Sequence, residues 1–395
     1  MKKCEKFTLA LRPILILTIL AFLSVGCKKS EVETPNPETV LFSDSSSEKL
    51  AATAPTKIPS GSYDLTKSLP SGYKKDGTVD YTSYLQKAIS ANKNVTFPAF
   101  PIMVNATGLI IPSDRVLNFL LGSKLLLKPT SSGNYNMIRI DRVSNVTLNN
   151  PVLVGDVGKH LGSSGEWGMG IAIYSSNNIT VNDANVTKCW GDGLYLSSSN
   201  GKGPSTNVKI SNAVLQYNRR DGMSIITVNG LVLESVTAGN SGPASPMSGI
   251  NFEPERPSDE LQNIKLIDCK TEYNAGSGIQ IGFSNLYGGS NKTIGITIDN
   301  HYDKRSKNGV KVGASISKKR GSEIISGTLR FNSPYWRENT GTSITTNIFD
   351  KTLKLVISNP SVSDVNGNLL SDSEVLTHLT YKTRINREAA YSILF

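Results

Sequence analysis

The sequence predicts an all-β fold, a right-handed parallel β-helix with a short N-terminal capping helix. The first observation is a recurring Gly-apolar-x-apolar motif. It stands at Gly170-Ile-Ala-Ile173, Gly193-Leu-Tyr-Leu196, Gly222-Met-Ser-Ile225, Gly249-Ile-Asn-Phe252, Gly278-Ile-Gln-Ile281 and Gly309-Val-Lys-Val312, at spacings of 23, 29, 27, 29 and 31 residues. The second is an alternating strand between successive copies, such as Asn178-Ile-Thr-Val181, Asn207-Val-Lys-Ile210, Gly230-Leu-Val-Leu233 and Asn263-Ile-Lys-Leu266. The third is composition: 19% charged and 7% aromatic over 395 residues, with 34 glycines, which is unlike a helical bundle.

Each unit is too small to bury its own apolar face, so stacked units must share one core. Period-2 alternation then sends one set of side chains inward and the other outward. Inward positions are Ile171/Ile173, Leu194/Leu196, Met223/Ile225, Ile250/Phe252 and Ile279/Ile281; outward ones are Ala172/Tyr174, Tyr195/Ser197, Ser224/Ile226, Asn251/Glu253 and Gln280/Gly282. Gly and Asn at strand starts are expected to permit left-handed corners. Residues preceding each Gly form a further column, Met169, Asp192, Asp221, Ser248, Ser277 and Asn308.

The chain opens with an address. Lys2, Lys3 and Lys6 precede an apolar run, Ile14 to Leu23, that suits a signal peptide and is short for a membrane span. Leu23-Ser-Val-Gly-Cys27 resembles the lipobox of a bacterial lipoprotein, which implies cleavage after residue 26 and lipidation of Cys27. A polar, Pro- and Ser-rich tether is expected over 27–59, followed by a single β-helix domain over 60–395 with a C-terminal β extension. These features place the protein on the periplasmic or cell-surface face of an outer membrane, held there by its lipid alone. Residues 1–26 carry four basic groups and one acidic one, so +7 of the net +10 remains on the mature chain. That charge suits an acidic glycan and, outside the cell, argues against nucleic acid. Cys189 and Cys269 fall about three coils apart, too far for a disulfide at ~4.8 Å per coil. Three His, four Cys and no C-x-x-C exclude the common zinc and iron–sulfur motifs, and the P-loop, H-E-x-x-H and G-x-S-x-G motifs are absent.

Ahead of the repeat, Asp80 to Ile89 predicts a helix with Tyr81, Tyr84, Leu85, Ala88 and Ile89 on one face. Strands are expected at 95–98, 109–111, 116–120 and 125–127. Asp76-Gly-Thr-Val-Asp80, this helix, Phe97-Pro98 and Leu109-Ile-Ile-Pro-Ser113 resemble the first coil of the pectate-lyase-like superfamily. The resemblance covers about 60–320. It implies a right-handed β-helix acting on polysaccharide, as a lyase, glycoside hydrolase or tailspike depolymerase. The Asn-Thr-Asp, Asp-Asp and Gly-His-Gly motifs of pectin hydrolases and the Arg-x-Pro-x-x-Arg motif of pectate lyases are missing.

Carboxylates on a groove are what glycoside hydrolysis needs, one as acid and one as base or nucleophile. Asp192 and Asp221 share a column about one coil apart, Glu253 stands one coil further on the outer face, and Glu166 precedes the first of these strands. These four are the catalytic candidates. Arg219 and Arg220 could hold a uronate. Tyr195 and Trp167, with Trp190, could stack on sugar rings, and Asn251, Gln280 and His160 complete the expected substrate-binding set. Hydrolysis of an acidic glycan by these acids is the first reading. A β-eliminating lyase using Arg and Ca²⁺ held by Asp192, Asp221 or Glu253 is the alternative. A non-catalytic glycan-binding β-helix or adhesin is the third. The glycan and the oligomeric state are not legible.

Overall fold

A computed structural model describes residues 54–314, 321–348, 352–381 and 391–395. The expected signal peptide, Cys27 and the tether as far as residue 53 lie outside the described residues. The rest is a parallel β-helix of three sheets. Each coil runs through sheet 1 (twelve strands), a short strand of sheet 2 (ten strands) and sheet 3 (nine strands), then returns to sheet 1 one step along the stack. Val146–Leu153–Ile171 to Ile179–Val186–Leu194 is one such step, and every strand pairing is parallel.

The register read from the motif is the register observed. Ile171, Leu194, Met223, Ile250, Ile279 and Val310 pair in succession across sheet 3. Ile179, Val208, Leu231, Ile264 and Ile296 do so across sheet 1. All the expected inward side chains are buried. Within the repeat, sheet 2 is absent from the sequence reading, although the expected strand at 125–127 is one of its strands. Its strands are mostly three residues, such as Asn185–Thr187, Val214–Gln216 and Thr237–Gly239, with one inward side chain each, too short to show alternation.

The glycines act differently from the expectation. Left-handed corners are taken by Asn178 (φ +57°), Asn207 (+52°), Asn263 (+54°) and Gly230 (+92°) at the starts of sheet 1 strands. The motif glycines have no such φ. They are needed because coils touch there: a Cβ on Gly193, Gly222, Gly249 or Gly278 would lie 2.6–2.8 Å from the carbonyl oxygen of the next motif glycine. The motif therefore reports backbone-on-backbone contact, not a turn.

The helix spans Thr82–Ala91 (α1), with Leu85, Ala88 and Ile89 buried. Tyr84 is 42% exposed, contrary to expectation, while Tyr81 is buried ahead of the first turn. Asp80 Oδ1 accepts from Thr82 N at 3.0 Å, satisfying an N-terminal amide. Gln86 clips the outermost strand of sheet 3: its Nε2 donates to Ile110 O (2.8 Å) and its Oε1 accepts from Ile110 N (2.7 Å). An edge that would recruit another strand is thus partly satisfied by a side chain. A second helix, α2, spans Asp372–Tyr381 near the other end of the chain. Cys189 and Cys269 are buried free thiols.

The close contact is testable away from any site. A Cβ at Gly249 would meet Ala238 O, Gly278 O and Thr271 Cγ2, each at 2.8 Å, whereas one at Gly313 meets nothing within 4 Å. Gly249→Ala should lower the melting temperature by about 3–10 °C, and Gly313→Ala should leave it within a few degrees. Equal effects would rule out coil contact as the reason for the motif.

Candidate functional site

The stacking of sheet 3 brings Asp192, Asp221, Glu253 and the loop residue Glu166 around one side chain, Arg220. Its Nη1 donates to Asp192 Oδ2 (3.0 Å) and Ser224 Oγ (3.2 Å) and lies 3.3 Å from Asp221 Oδ2. Its Nη2 donates to Glu253 Oε2 at 2.6 Å. Its Nε is buried without a hydrogen-bond partner among the described residues, with Glu166 Oε2 3.8 Å away.

The four acids are not equivalent. Asp192 and Asp221 are fully buried, whereas the side chains of Glu253 and Glu166 are 38% and 52% exposed. The expectation that both Asp line a surface is corrected. Their column is roofed by the loop that follows the sheet 2 strand, which carries Arg219 and Arg220 over it. Asp192 Oδ1 accepts from Asp221 N (3.1 Å), and Asp221 Oδ1 accepts from Ser248 N (2.6 Å). Asp221 Oδ2 accepts from Ser224 Oγ and Asn251 Nδ2, each at 3.1 Å. Asn251, also fully buried, donates from the same Nδ2 to Glu253 Oε2 at 3.0 Å and so ties the buried acid to the outer one. It holds the acids and has no surface to offer a substrate. Gln280, half-buried, donates to Asn251 Oδ1 at 3.4 Å.

Two more expected ligand contacts turn inward. Arg219 lies over the Trp190 ring (4.0 Å) and donates to Gly165 O (2.9 Å) and Trp190 O (3.2 Å). His160 stacks with Trp190 at 3.8 Å, and its Nδ1 meets Asp156 Oδ2 at 2.8 Å. His160 is therefore a buried loop anchor, not a groove-edge residue. Tyr195 is nearly buried, with its hydroxyl donating to Glu255 Oε1 at 3.2 Å.

Beside the cluster, sheet 3 floors an open cleft of about 550 Å³ lined by Trp167, Tyr174, Tyr195, Arg139, Glu255 and Arg256, among others. Trp167 is 55% exposed there. Tyr195 pairs in register with Ser224, which accepts from Arg220, so cleft and cluster occupy adjoining coils. Sequence reasoning missed Arg139, Glu255 and Arg256. Met137 stands where later coils have the motif glycine, which hides the Arg139 coil from a Gly-based search. Glu255 and Arg256 lie past Pro254, beyond the alternating strand.

The expected Ca²⁺ site does not fit. Among the described residues no group of His, Cys, Asp and Glu has the arrangement to hold a metal ion. The three acids named for it surround a guanidinium, and a second cation there would be repelled.

Burial pushes Asp192 up to about 6 against the Arg220 charge, and it raises Asp221 well above the ordinary carboxylate value with the Asp192 charge adding to it. An acid raised in this way binds more protons folded than unfolded between about pH 4 and 6, so its contribution to stability falls as pH rises through that window. Thermal melts across that range should show the wild type losing stability relative to Asp192→Asn. A flat difference curve would contradict the upward shift of Asp192.

No family model matches the sequence. The Bacillus subtilis protein YclG is 24% identical over 220 residues, 46% of this chain and 36% of YclG. A second B. subtilis protein, the SPbeta prophage-derived YorA, is 23% identical over 192 residues, so the chain spans about a third of the length of the curated relatives it matches. Among solved structures, the A-module of Azotobacter vinelandii mannuronan C-5 epimerase AlgE4 superposes with a TM-score of 0.52 at 15% identity, covering 78% of this chain and 89% of the module. A tailspike protein of E. coli bacteriophage HK620, solved with a pentasaccharide, gives 0.54 at 12%, over 77% of this chain and 63% of the tailspike. The Streptococcus pneumoniae surface adhesin PfbA gives 0.50 at 12%, over 76% and 84%. The coil order, the parallel register and these superpositions show that the chain has the right-handed parallel β-helix fold that these solved structures share.

Proposed function

We propose that this protein is an exported enzyme that cleaves glycosidic bonds of an acidic polysaccharide by carboxylate acid–base chemistry. One observation carries the reading: two solvent-reaching carboxylates, Glu253 and Glu166, flank one guanidinium at the side of an aromatic, cation-bearing cleft. Both lie against Arg220, at 2.6 and 3.8 Å, which keeps those oxygens within about 9 Å of each other, below the roughly 9.5 Å upper end for glycosidase pairs. One carboxyl gives a proton to the leaving-group oxygen. The other activates water or attacks the anomeric carbon. Arg220 sets the orientation of both, and Asp192, Asp221 and Asn251 hold Arg220 and Glu253 from beneath. In the cleft, Trp167 offers a ring face to a sugar, while Arg139 and Arg256 suit a uronate carboxylate.

The β-eliminating alternative has less support, because Arg219 and Arg220 are both committed to protein partners and the acids do not suit Ca²⁺. Non-catalytic glycan binding is favoured by one fact, the ion pair that ties Glu253 to Arg220. A screen of acidic and neutral polysaccharides by chromatography, with ultraviolet detection of unsaturated ends, separates the three. Cleavage without unsaturated ends is expected. Glu253→Gln and Glu166→Gln should each lower turnover by on the order of 10²-fold with little change in melting temperature. Unsaturated products would establish the lyase, and binding without cleavage the adhesin-like reading.

The export part rests on the lipobox-like Leu23-Ser-Val-Gly-Cys27. A clickable fatty acid should label the wild type in cells and leave Cys27→Ser unlabelled. Equal labelling would remove the anchor from the account.

A further inference from the structure

We propose a second glycan-binding surface, separate from the cleft, on the outer face of sheet 2, where three cation–tyrosine pairs stand together on three adjoining coils and would hold an acidic polysaccharide chain without cleaving it. The strands Lys270–Glu272, Tyr302–Lys304 and Tyr335–Arg337 pair in parallel, placing Lys270, Tyr302 and Tyr335 in one outward row. Lys270 Nζ lies over the Tyr302 ring at 6.0 Å, and Arg337 Cζ over the Tyr335 ring at 5.6 Å. At the corner that follows, Arg305 Cζ lies over the Tyr273 ring at 5.9 Å. Two of these units bridge the same two coils side by side and the third lies within the next coil, so rings and cations form one continuous patch.

Exposure singles out these tyrosines. Tyr273 and Tyr335 are 42% and 41% exposed, so their rings meet solvent where a core would gain from burying them. Tyr273 and Arg305 stand at the left-handed corner that follows each sheet 2 strand, which places their side chains side by side on neighbouring coils.

Charge selects the partner. Outward on these strands and corners, among the described residues, the four cations Lys270, Lys304, Arg305 and Arg337 stand against two carboxylates, Glu272 and Glu338, and Arg337 donates instead to Ser361. A uronate presents a C–H face to a tyrosine ring and a carboxylate to the adjacent cation. A neutral glycan meets only the ring, and a neutral surface gains nothing from the excess charge. None of these residues belongs to the Arg220 cluster or the cleft, so the inference stands apart from the chemistry proposed there.

The test is binding of the full chain to polygalacturonate, with dextran as the neutral polymer and phosphatidylserine-containing vesicles as the anionic surface. Tyr273→Ala with Tyr335→Ala should weaken polygalacturonate binding at least fivefold, and so should Lys270→Ala with Arg305→Ala. All variants are compared in a Trp167→Ala background, so that the cleft contributes equally little to every sample. Lys209→Ala, which removes an exposed cation from sheet 1, should keep this binding. Melting curves confirm that each variant is folded. Since all four positions are at the surface, the single variants Tyr335→Phe and Tyr335→Ala give a milder pair, of which only the second should weaken binding. The proposal is overturned if the tyrosine variants bind as their parent does, if Lys209→Ala loses as much binding as they do, or if vesicles are bound and polygalacturonate is not.

Discussion

The constraint on which the rest depends is the close approach of one coil to the next at the motif glycines. Parallel pairing at ~4.8 Å leaves no room for a side chain where backbone faces backbone, and the glycine carbonyls fill that space. Register follows from it. Once Gly193, Gly222 and Gly249 are stacked, every residue at a given offset from them is stacked too, inward apolar on inward apolar and polar on polar. Where Met137 replaces the glycine, the inward apolar stack, Ile138 on Ile171 and Ile140 on Ile173, keeps the same register.

That same stacking creates an electrostatic problem. It sets Asp192 directly against Asp221 in a fully buried column. Two unpaired carboxylates there would cost several kcal/mol each. Arg220, arriving on the loop between them and solvent, supplies the countercharge, and backbone N–H groups of Asp221 and Ser248 complete it. The guanidinium that neutralises the buried pair also reaches the outward Glu253. Site geometry and core electrostatics are therefore one network, so a change at Asp221 should be felt at Glu253 through Asn251.

Much of this was legible in the residues because a repeat fixes columns without coordinates. The fold, the six-coil register, the adjacency of Asp192 and Asp221 and the outward place of Glu253 all follow from offsets to a glycine. What escaped has physical causes. Burial of outward residues depends on what roofs them, and the loops that roof Asn251 and Asp221 carry no periodicity. The stack of Arg219, Trp190 and His160 joins three loop or corner segments far apart in sequence, so each looked like a free ligand. Three-residue strands hid sheet 2, and Met137 in place of glycine hid the coil that bears Arg139. The glycines themselves were read as turn formers, since close approach and left-handed φ leave the same mark on a sequence.

The central claim is that the Arg220 fork organises the outer carboxylates. Arg220→Lys keeps the positive charge and loses the planar fork that spans Asp192 and Glu253. Turnover of this variant should be measured on whichever polysaccharide the screen finds the wild type to cleave, alongside its melting curve. The account predicts a cooperative melt with turnover reduced by on the order of 10²-fold. Wild-type turnover per folded molecule would contradict it.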